Sequence, residues 1–410
     1  LYSQGQLQQA LKQAGILVQQ FPQSAILFNI QGAVLKGLGQ LDASVEAYNK
    51  ALAIKPDYAE ACYNMGGTLK QQGKLEEAIE AYKKALTIKP DSAETYNNMG
   101  NTLREQGKLE EAIKAYRKSI MVKPNYGEAY NNMGNTLKEQ GKFEDAIAAY
   151  QKVSHRSPTA KALECSYILE NYNDFDINLS SISKKDPSNI RVAAMSAFAA
   201  HQRRKEDPYP FCPNPMDLIK FSHVQNHVSD PDNFIASILE EMNEKDAVWE
   251  PQNKTTKGGF QSNSKLFDNP SPNMIILEEI IKKELRRFRA DFNNNESILF
   301  QKWPDEIKIE AWYVRMLQNG HQGSHIHPTG WVSGVFYLKT VESPIDHEGA
   351  IEFGLHGYNY PIINENYPRR LYQPLNGDLV LFPSSLFHKT IPVIKNAERC
   401  VIAFDLVRQT

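Results

Sequence analysis

The sequence predicts an α+β multidomain protein in which an all-α repeat array precedes an all-β core with supporting helices. Three observations lead to this prediction. A period of 34 residues governs the chain up to residue 159, four prolines crowd into residues 207–215, and short strand patterns separated by turns follow residue 303. Repeats bury their apolar faces on one another, prolines end helices, and many short strands are typical of a barrel or a sandwich.

Composition excludes several classes of function. The 46 Lys and Arg residues nearly balance the 48 Asp and Glu residues, so no net positive field collects phosphates, and we expect no nucleic-acid partner. The longest apolar runs are far shorter than the ~20 residues of a membrane span, so we expect no membrane partner. The 4 cysteines form no CxxC pair, which makes a reducing, cytoplasmic compartment the default expectation.

The first element is a repeat with small and aromatic residues at fixed positions. Three features recur every 34 residues. They are a Lys-Pro-Asp or Lys-Pro-Asn turn (55, 89, 123), a glycine (32, 66, 100, 134) and a tyrosine (82, 116, 150). This pattern resembles the tetratricopeptide repeat, a helix–turn–helix unit that stacks into a superhelix. A half repeat and four full copies account for residues 1–159. Because the chain begins with Leu1, inside a repeat, we expect a segment to precede it.

Three asparagines occupy one position of the first helix in successive repeats. These residues, called the asparagine ladder below, are Asn64, Asn98 and Asn132. We expect them to face the concave groove, where stacked carboxamides can donate to and accept from a peptide backbone. The ladder resembles that of the nucleocytoplasmic sugar transferases built on this repeat, which implies a protein or peptide partner. The alternative is that asparagine is merely tolerated on a solvated helical face, and Ile30 interrupts the series in the first full repeat.

The chain then changes character twice. Residues 160–206 keep a helical pattern without the repeat residues, so we expect a divergent cap that covers the last apolar face. The prolines of residues 207–215 predict a stiff connector at a domain boundary. Residues 216–410 form the predicted second domain, with helices near 234–244 and 274–292. Its predicted strands are 307–317, 331–340, 350–353, 377–382 and 400–407, with turns at Asn319-Gly320 and Asn376-Gly377.

Histidines concentrate in this second domain. Of the 10 histidines, 5 lie between residues 321 and 356. His325 and His327 are two apart, so on a strand both imidazoles point to one side and can reach one metal ion. His388 follows another strand and is placed to supply a third ligand. Arg399 begins the last strand within an apolar run, where a cation needs an anionic partner; Asp405 is a weak candidate for that partner.

These residues together resemble the 2-oxoglutarate- and iron(II)-dependent oxygenases. In that superfamily a His-x-Asp or His-x-Glu opens one strand, a distal histidine follows, and a basic residue about ten positions later grips the cosubstrate. The string Gly320-(x)4-His325-x-His327-Pro-x-Gly-Trp331-x-Ser333-Gly-x-x-Tyr337 is similar to a bacterial and phage branch of such oxygenases. The resemblance implies a double-stranded β-helix (jelly-roll or cupin-like) and a hydroxylase that uses Fe(II), 2-oxoglutarate and O2. Fe(II) would bind His325, His327 and His388, and Arg399 would bind the far carboxylate of 2-oxoglutarate.

The chain departs from that superfamily at His327, which stands where a carboxylate is expected. Three arrangements are open. All three histidines bind the metal, as in cupin-type dioxygenases; or His327 stands off and a water completes the site, as in the aspartyl/asparaginyl β-hydroxylases; or a carboxylate from Asp346, Glu348 or Glu352 completes it.

Four further residues are candidates for cosubstrate contact. Tyr313 and Arg315 lie on the strand before the histidines, and we expect one of them to face the barrel interior. Ser333 and Tyr337 are four residues apart, so they lie on one face of the next strand.

The expected function is hydroxylation of a protein or peptide substrate that the repeats recruit. The aspartyl/asparaginyl β-hydroxylases and the collagen prolyl 3-hydroxylases share this layout, which is an analogy. In the alternative, the oxygenase acts on a small metabolite or a lipid-linked sugar and the repeats serve as an interaction scaffold. A second alternative is an inert β-domain within a scaffold protein.

Overall fold

The computed structural model describes residues 7–153, 156–251, 254–342, 347–358 and 360–408. The chain divides into two compact units, Leu1–Leu169 and Glu170–Thr410. None of the helices in the described residues combines the length and apolar character needed to cross a membrane. The 4 cysteines are free thiols and all are buried.

The first unit consists of antiparallel helix pairs. Its described helices are α1 (Leu7–Gln20), α2 (Ala25–Gly37), α3 (Leu41–Ile54), α4 (Ala59–Gln71), α5 (Leu75–Ile88), α6 (Ala93–Glu105), α7 (Leu109–Val122), α8 (Gly127–Glu139), α9 (Phe143–Tyr150) and α10 (Arg156–Ile168). The helices follow the 34-residue period, so the predicted tetratricopeptide array is confirmed.

Close helix contact explains the recurrent glycine and tyrosine. A Cβ atom built on Gly100 of α6 would lie 2.6 Å from the ring of Tyr116 in α7. The same pairing recurs between Gly134 and Tyr150, where the distance is also 2.6 Å. The tyrosine rings are fully buried against these glycines. Any side chain at the glycine would therefore push the two helices apart.

The second unit begins with helices that the sequence assigns to the cap. Its described helices are α11 (Tyr172–Lys185), α12 (Ile190–Gln202), α13 (Pro231–Asn243), α14 (Pro272–Asp291) and α15 (Ile298–Gln301). α12 is buried on nearly all sides, with Phe198 packed 5.6 Å from Tyr360 and Gln202 Nε2 donating to the carbonyl of Asn364 at 2.8 Å. The helices predicted near 234–244 and 274–292 are α13 and α14.

The proline-rich stretch also lies within the second unit. Tyr209 and Phe211 are fully buried, and the Ile298 amide donates to the carbonyl of Pro210 at 2.9 Å. The predicted cap, residues 160–206, is thus divided between the units at residue 169. The domain limits drawn from the sequence stay predictions.

Two antiparallel sheets form the core of the second unit. The strands are β1 (Lys220–His223), β2 (Val248–Trp249), β3 (Thr256–Gln261), β4 (Lys308–Gln322), β5 (Gly330–Lys339), β6 (Ile351–Gly354), β7 (Arg369–Tyr372), β8 (Asp378–Pro383), β9 (Phe387–Thr390) and β10 (Arg399–Val407). The large sheet has the order β1-β8-β5-β10-β4-β3-β2 and the small sheet the order β7-β6-β9. The turn predicted at Asn319-Gly320 is wrong, because β4 continues through it with Asn319 at a φ of 65°.

Cross-strand pairing defines which side chains share a face of the large sheet. β10 pairs with β5 so that Asp405 lies opposite Ser333 and Val401 opposite Tyr337. Arg399 is an even number of residues from Asp405, so it lies on the same face. We call this the inner face. It is turned toward the small sheet, since Phe382, opposite Ser333, packs 4.6 Å from the ring of His388 in β9.

Candidate metal centre

Backbone hydrogen bonds bring three histidines together at the edge of the two sheets. His325 and His388 form an antiparallel bridge, in which each backbone amide donates to the other carbonyl at 3.0 Å. The amide of His327 donates to the carbonyl of Ser384 at 3.1 Å. These bonds place the ligand nitrogens of His325, His327 and His388 within 4.8 Å of one another. We call these residues the histidine cluster.

Each imidazole of the cluster is oriented by an acceptor at Nδ1. The Nδ1 of His325 lies 2.7 Å from the carbonyl of Gly323, and that of His388 lies 3.2 Å from the carbonyl of Leu386. The Nδ1 of His327 lies 2.6 Å from Oδ1 of Asp405. Because these partners are acceptors, the assigned tautomer carries its proton on Nδ1 in all three rings. The Nε2 lone pairs therefore converge, and those of His325 and His327 are 3.4 Å apart.

Burial favours the neutral forms of His325 and His388. Desolvation, followed by the nearby His327, lowers the pKa of His325 to about 3. Desolvation also holds the pKa of His388 well below its ordinary value, and the neighbouring histidines add to this effect. Neutral imidazole is the form that binds transition metals. Three imidazoles whose Nε2 atoms converge form a donor set that fits a divalent metal cation.

Asp405 belongs to the site, although the sequence suggested it only as a partner for Arg399. Its Oδ1 accepts from Nδ1 of His327 and from the hydroxyl of Ser333, both at 2.6 Å. The hydroxyls of Ser333 and Ser384 are 2.8 Å apart. Gly330 gives this network room, because a Cβ there would lie 2.6 Å from Oγ of Ser384. Ser333 thus contacts the site through Asp405.

The other candidate carboxylates are engaged elsewhere. Oε2 of Glu348 accepts from the amides of Ile394 and Lys395, both at 2.9 Å. Glu352 pairs with Lys389 at 3.0 Å. Asp346 lies outside the described residues.

Arg399 is a buried cation on the inner face. It is 2% exposed, its Nε donates to the carbonyl of Gly349 at 2.9 Å, and its guanidinium lies 5.1 Å from the ring centre of Tyr337. The Tyr337 hydroxyl is buried beside this guanidinium and donates to no acceptor among the described residues. Within the described part of the chain no carboxylate lies at ion-pair distance from Arg399. A buried guanidinium beside a hydroxyl that can still donate is suited to an anionic ligand.

Tyr313 and Arg315 do not join this site, so the expectation that one of them faces the interior is wrong. Residues two apart on a strand share a face, and β4 pairs them with Ile402 and Cys400 on the outer face of the sheet. The Tyr313 hydroxyl donates to Sγ of Cys400 at 3.3 Å. Nε of Arg315 donates to Glu398 at 3.0 Å.

Aromatic residues that the sequence did not indicate complete the surroundings. The ring centre of Trp312 lies 5.5 Å from that of His327, and Phe353 lies 5.0 Å from Phe382. Trp312 pairs with Ala403, which is two residues from Asp405 on β10. Even spacing from Arg399 along β10 is a sequence signal for Asp405, whereas the position of Trp312 follows only from the register of β4 with β10.

In the first unit, the Nδ2 atoms of the asparagine ladder form hydrogen bonds within the chain. Nδ2 of Asn64 donates to Asn29 at 3.0 Å, and Nδ2 of Asn98 donates to the hydroxyl of Tyr63 at 2.8 Å. A third bond of this kind runs from Asn132 to Asn97 at 3.0 Å. Each ladder residue therefore ties its repeat to the preceding one. The three Oδ1 atoms accept no hydrogen bond from the described residues and remain available as acceptors.

Comparison with protein families agrees with both halves of this description. Tetratricopeptide repeat models match residues 32–73, 66–103, 100–141 and 127–159. Residues 310–405 match the family described as "Putative 2OG-Fe(II) oxygenase". The chain carries tetratricopeptide repeats and a 2OG-Fe(II) oxygenase domain. That domain match includes the histidine cluster, Arg399 and Asp405, and its family implies Fe(II), 2-oxoglutarate and O2. Tetratricopeptide repeats generally mediate protein or peptide binding.

Several solved structures are similar to part of the chain. MamA has 22% identity and a TM-score of 0.35, over 37% of this chain and 88% of that chain. YrrB, titled a TPR protein with an unusual peptide-binding site, has 18% identity and a TM-score of 0.38, over 44% and 95%. Pseudomonas aeruginosa pilF has 19% identity and a TM-score of 0.40, over 48% and 91%. No curated protein matches the chain.

Proposed function

We propose that this protein is an Fe(II)/2-oxoglutarate-dependent dioxygenase that hydroxylates a protein or peptide substrate recruited by its repeats. One observation carries the proposal. Three imidazoles direct their Nε2 atoms to a common point, while a buried guanidinium with no carboxylate partner among the described residues lies on the inner face of the same domain. The first arrangement suits a divalent cation and the second suits an anion.

The histidine cluster would hold the iron. With Glu348 and Glu352 engaged elsewhere, the three histidines would form the ligand set, which is the first of the three arrangements considered from the sequence. A ligand set without a carboxylate leaves more positive charge on the metal than a set that contains one, and this favours a dianionic cosubstrate.

Arg399 and Tyr337 would bind the far carboxylate of 2-oxoglutarate. The hydrogen bond from Nε of Arg399 to Gly349 fixes the orientation of the guanidinium. The planar guanidinium matches a carboxylate better than a lysine ammonium does. The Tyr337 hydroxyl can donate to the same anion, because among the described residues it donates to no acceptor.

When bound, the iron supplies the dioxygen chemistry that couples decarboxylation of 2-oxoglutarate to hydroxylation of the substrate. The protein orients the groups and excludes water. Phe353 and Phe382 form an apolar wall beside His388, with ring centres 6.4 Å and 4.6 Å from the imidazole. A dry site strengthens the attraction between the metal and its anionic ligand.

The repeats would supply the substrate. The free Oδ1 atoms of Asn64, Asn98 and Asn132 can accept from backbone amides of an extended peptide, which gives affinity without reading side chains. A peptide held in this way is presented to the oxygenase at a raised effective concentration.

Anaerobic titration with Fe(II) and 2-oxoglutarate tests the reaction class. We expect the weak visible charge-transfer band of the chelate in the wild type, its loss in His388→Ala, and a weaker band in Arg399→Ala. Arg315→Ala is the matched control, since Arg315 pairs with Glu398 on the outer face and its removal should leave the band unchanged. A bound metal without a band would contradict the use of 2-oxoglutarate.

A second experiment tests the substrate class. Candidate peptides that stimulate 2-oxoglutarate turnover should do so less in the triple variant Asn64→Ala, Asn98→Ala, Asn132→Ala, while turnover without peptide is unchanged. If a small metabolite stimulates the wild type and the triple variant equally and no peptide does, the metabolite alternative is correct.

A further inference from the structure

We propose that Asp405 is a positioning residue for the metal centre: it holds the His327 ring and supplies, from outside the ligand set, the carboxylate that a set of three histidines lacks. The proposal rests on the proposed function, because it assumes that the histidine cluster binds a divalent metal. It concerns how this chain tolerates a histidine where related oxygenases carry a carboxylate ligand.

The three imidazoles of the cluster differ in the group that accepts a hydrogen bond from Nδ1. His325 and His388 are oriented by neutral backbone carbonyls, those of Gly323 and Leu386. His327 alone among them is oriented by a carboxylate, at 2.6 Å. A hydrogen bond to a charged acceptor is stronger than one to a carbonyl, and it fixes the proton on Nδ1. His327 therefore presents a more electron-rich Nε2 than its two partners.

The position of His327 makes this difference meaningful. His327 stands two residues after His325, where the superfamily carries an aspartate or glutamate ligand. In this chain the carboxylate belongs to Asp405 on strand β10, and the His327 ring lies between it and the point where the Nε2 atoms converge. The carboxylate would therefore act on the metal through one hydrogen bond and the imidazole ring.

Asp405 is itself held in place by the sheet. It is 5% exposed, and the hydroxyl of Ser333, its cross-strand neighbour, donates to the same Oδ1 that receives His327. Ser384 extends the network, and Gly330 is the residue whose lack of a side chain lets Ser384 and Asp405 approach. A buried carboxylate held by the Ser333 hydroxyl can fix an imidazole ring more firmly than a surface aspartate could.

The charged groups on the inner face also support this role for Asp405. Asp405 and Arg399 lie on one face of β10, but the Arg399 guanidinium bonds to Gly349 and not to Asp405. Among the described residues, the ionisable partner of Asp405 is His327, and no lysine or arginine pairs with it. Apart from the His327 ring, the described residues offer this buried carboxylate no cationic partner, and a buried carboxylate without one is costly. A divalent metal on Nε2 of His327 would balance it, just as an anionic ligand would balance Arg399.

The test compares metal affinity without 2-oxoglutarate. Under anaerobic conditions, Fe(II) and Co(II) dissociation constants are measured by competition with a chromophoric chelator for the wild type, Asp405→Asn and Glu352→Gln. The asparagine is isosteric and removes the charge, so we expect affinity to fall about 10–100-fold, the usual cost of losing an outer-shell partner. Glu352→Gln removes a carboxylate that pairs with Lys389, and its affinity should stay within twofold of the wild type.

A spectroscopic readout separates positioning from a purely structural role. In the metal-free wild type labelled with 15N-histidine, long-range 1H–15N correlation should show His327 as the Nδ1-protonated tautomer with a strongly deshielded proton. The Co(II) visible spectrum should also shift in Asp405→Asn. This wild-type measurement stands even if Asp405→Asn does not fold, and an Nε2-protonated His327 would overturn the proposal.

The outcomes distinguish this proposal from the one on which it rests. If the wild type binds no metal, the proposed function fails and this inference fails with it. If the wild type binds metal through the histidine cluster, while Asp405→Asn binds it equally and with the same Co(II) spectrum, the role of Asp405 is refuted and the proposed function stands.

Discussion

The repeat unit and the β-rich unit treat their polar side chains in opposite ways. In the repeats, polar groups bond to neighbouring helices of the array: Asn132 donates to Asn97 in the preceding repeat, and Lys138 pairs at 2.9 Å with Glu164, a fully buried carboxylate. In the β-rich unit, the Nε2 atoms of the histidine cluster face one another, and Arg399 has no anionic partner among the described residues.

This difference separates groups that stabilise a fold from groups that await a ligand. A polar group satisfied within the chain contributes to stability and to a single packing arrangement. A buried charged or polar group without a partner in the chain lowers stability, and such groups concentrate at functional sites. The repeats would therefore lose stability on mutation, and the histidine cluster would lose binding.

The largest expected effect is on metal affinity. His388→Ala removes a ligand of the cluster, so we expect Fe(II) affinity to fall by more than the about 10–100-fold cost of losing an outer-shell partner. Chelator competition measures it. Asn132→Ala, which removes an amide in the repeat unit, is the control and should leave affinity unchanged. Equal losses in both variants would break the comparison between the units.

The next effect is on stability in the repeats. Gly100→Ala places a methyl group 2.6 Å from the buried ring of Tyr116, and overpacking of this kind costs about 1–3 kcal/mol in the free energy of unfolding. Gly15→Ala in α1 is the matched control, because nothing lies within 4 Å of the added carbon. There the same substitution should stabilise by about 0.5–1 kcal/mol. Urea unfolding of both variants should give opposite signs.

A third effect concerns the pH dependence of the second unit. Burial raises the pKa of Asp207 from 3.8 to about 6, against weaker opposing hydrogen bonds from Ser196 and Tyr209. An acid whose pKa is raised by folding stabilises the protein as pH falls through that pKa and loses this contribution as pH rises. Relative to Asp207→Asn, the wild type should gain about 1–1.5 kcal/mol between pH 8 and pH 5. Parallel pH profiles of urea unfolding for the two proteins would contradict this.

The smallest effect comes from the asparagine ladder. Asn98→Ala removes one half-buried hydrogen bond to the Tyr63 hydroxyl, which should cost about 0.5–1.5 kcal/mol in unfolding free energy. Tyr63→Phe in the same background should then cost little more, because the bond is already lost. Additive losses in the double variant would show that the two side chains act independently.

Local patterns allowed much of the fold to be predicted from the sequence. The repeats are specified by contacts within about 34 residues, such as Gly100 with Tyr116, so their period is visible in the chain. Helices α13 and α14 and strands β4, β5, β6, β8 and β10 were predicted for the same reason. Strands β1, β2, β3, β7 and β9 were not predicted, and each of them is held by cross-strand partners elsewhere in the sequence.

The candidate site was predicted only in part. His325 and His327 were found through their spacing of two, and His388 and Arg399 through the resemblance of their order to a known family. The prediction that Tyr313 or Arg315 faces the barrel interior was wrong. Their spacing of two residues already required both side chains to lie on one face. Asp405 was missed as a site residue because its partner His327 is 78 residues away.

The sequence by itself determined the division into a helical-repeat array and a β-rich domain, and it determined the residue types of the site, since period and composition are local properties of the chain. Only the tertiary structure decided which side chains share the inner face and which acceptor holds each imidazole. It also decided that Asp405 lies behind His327 and not against Arg399. These choices depend on strand register and on buried hydrogen bonds between distant segments, and a single sequence does not encode either in a local pattern.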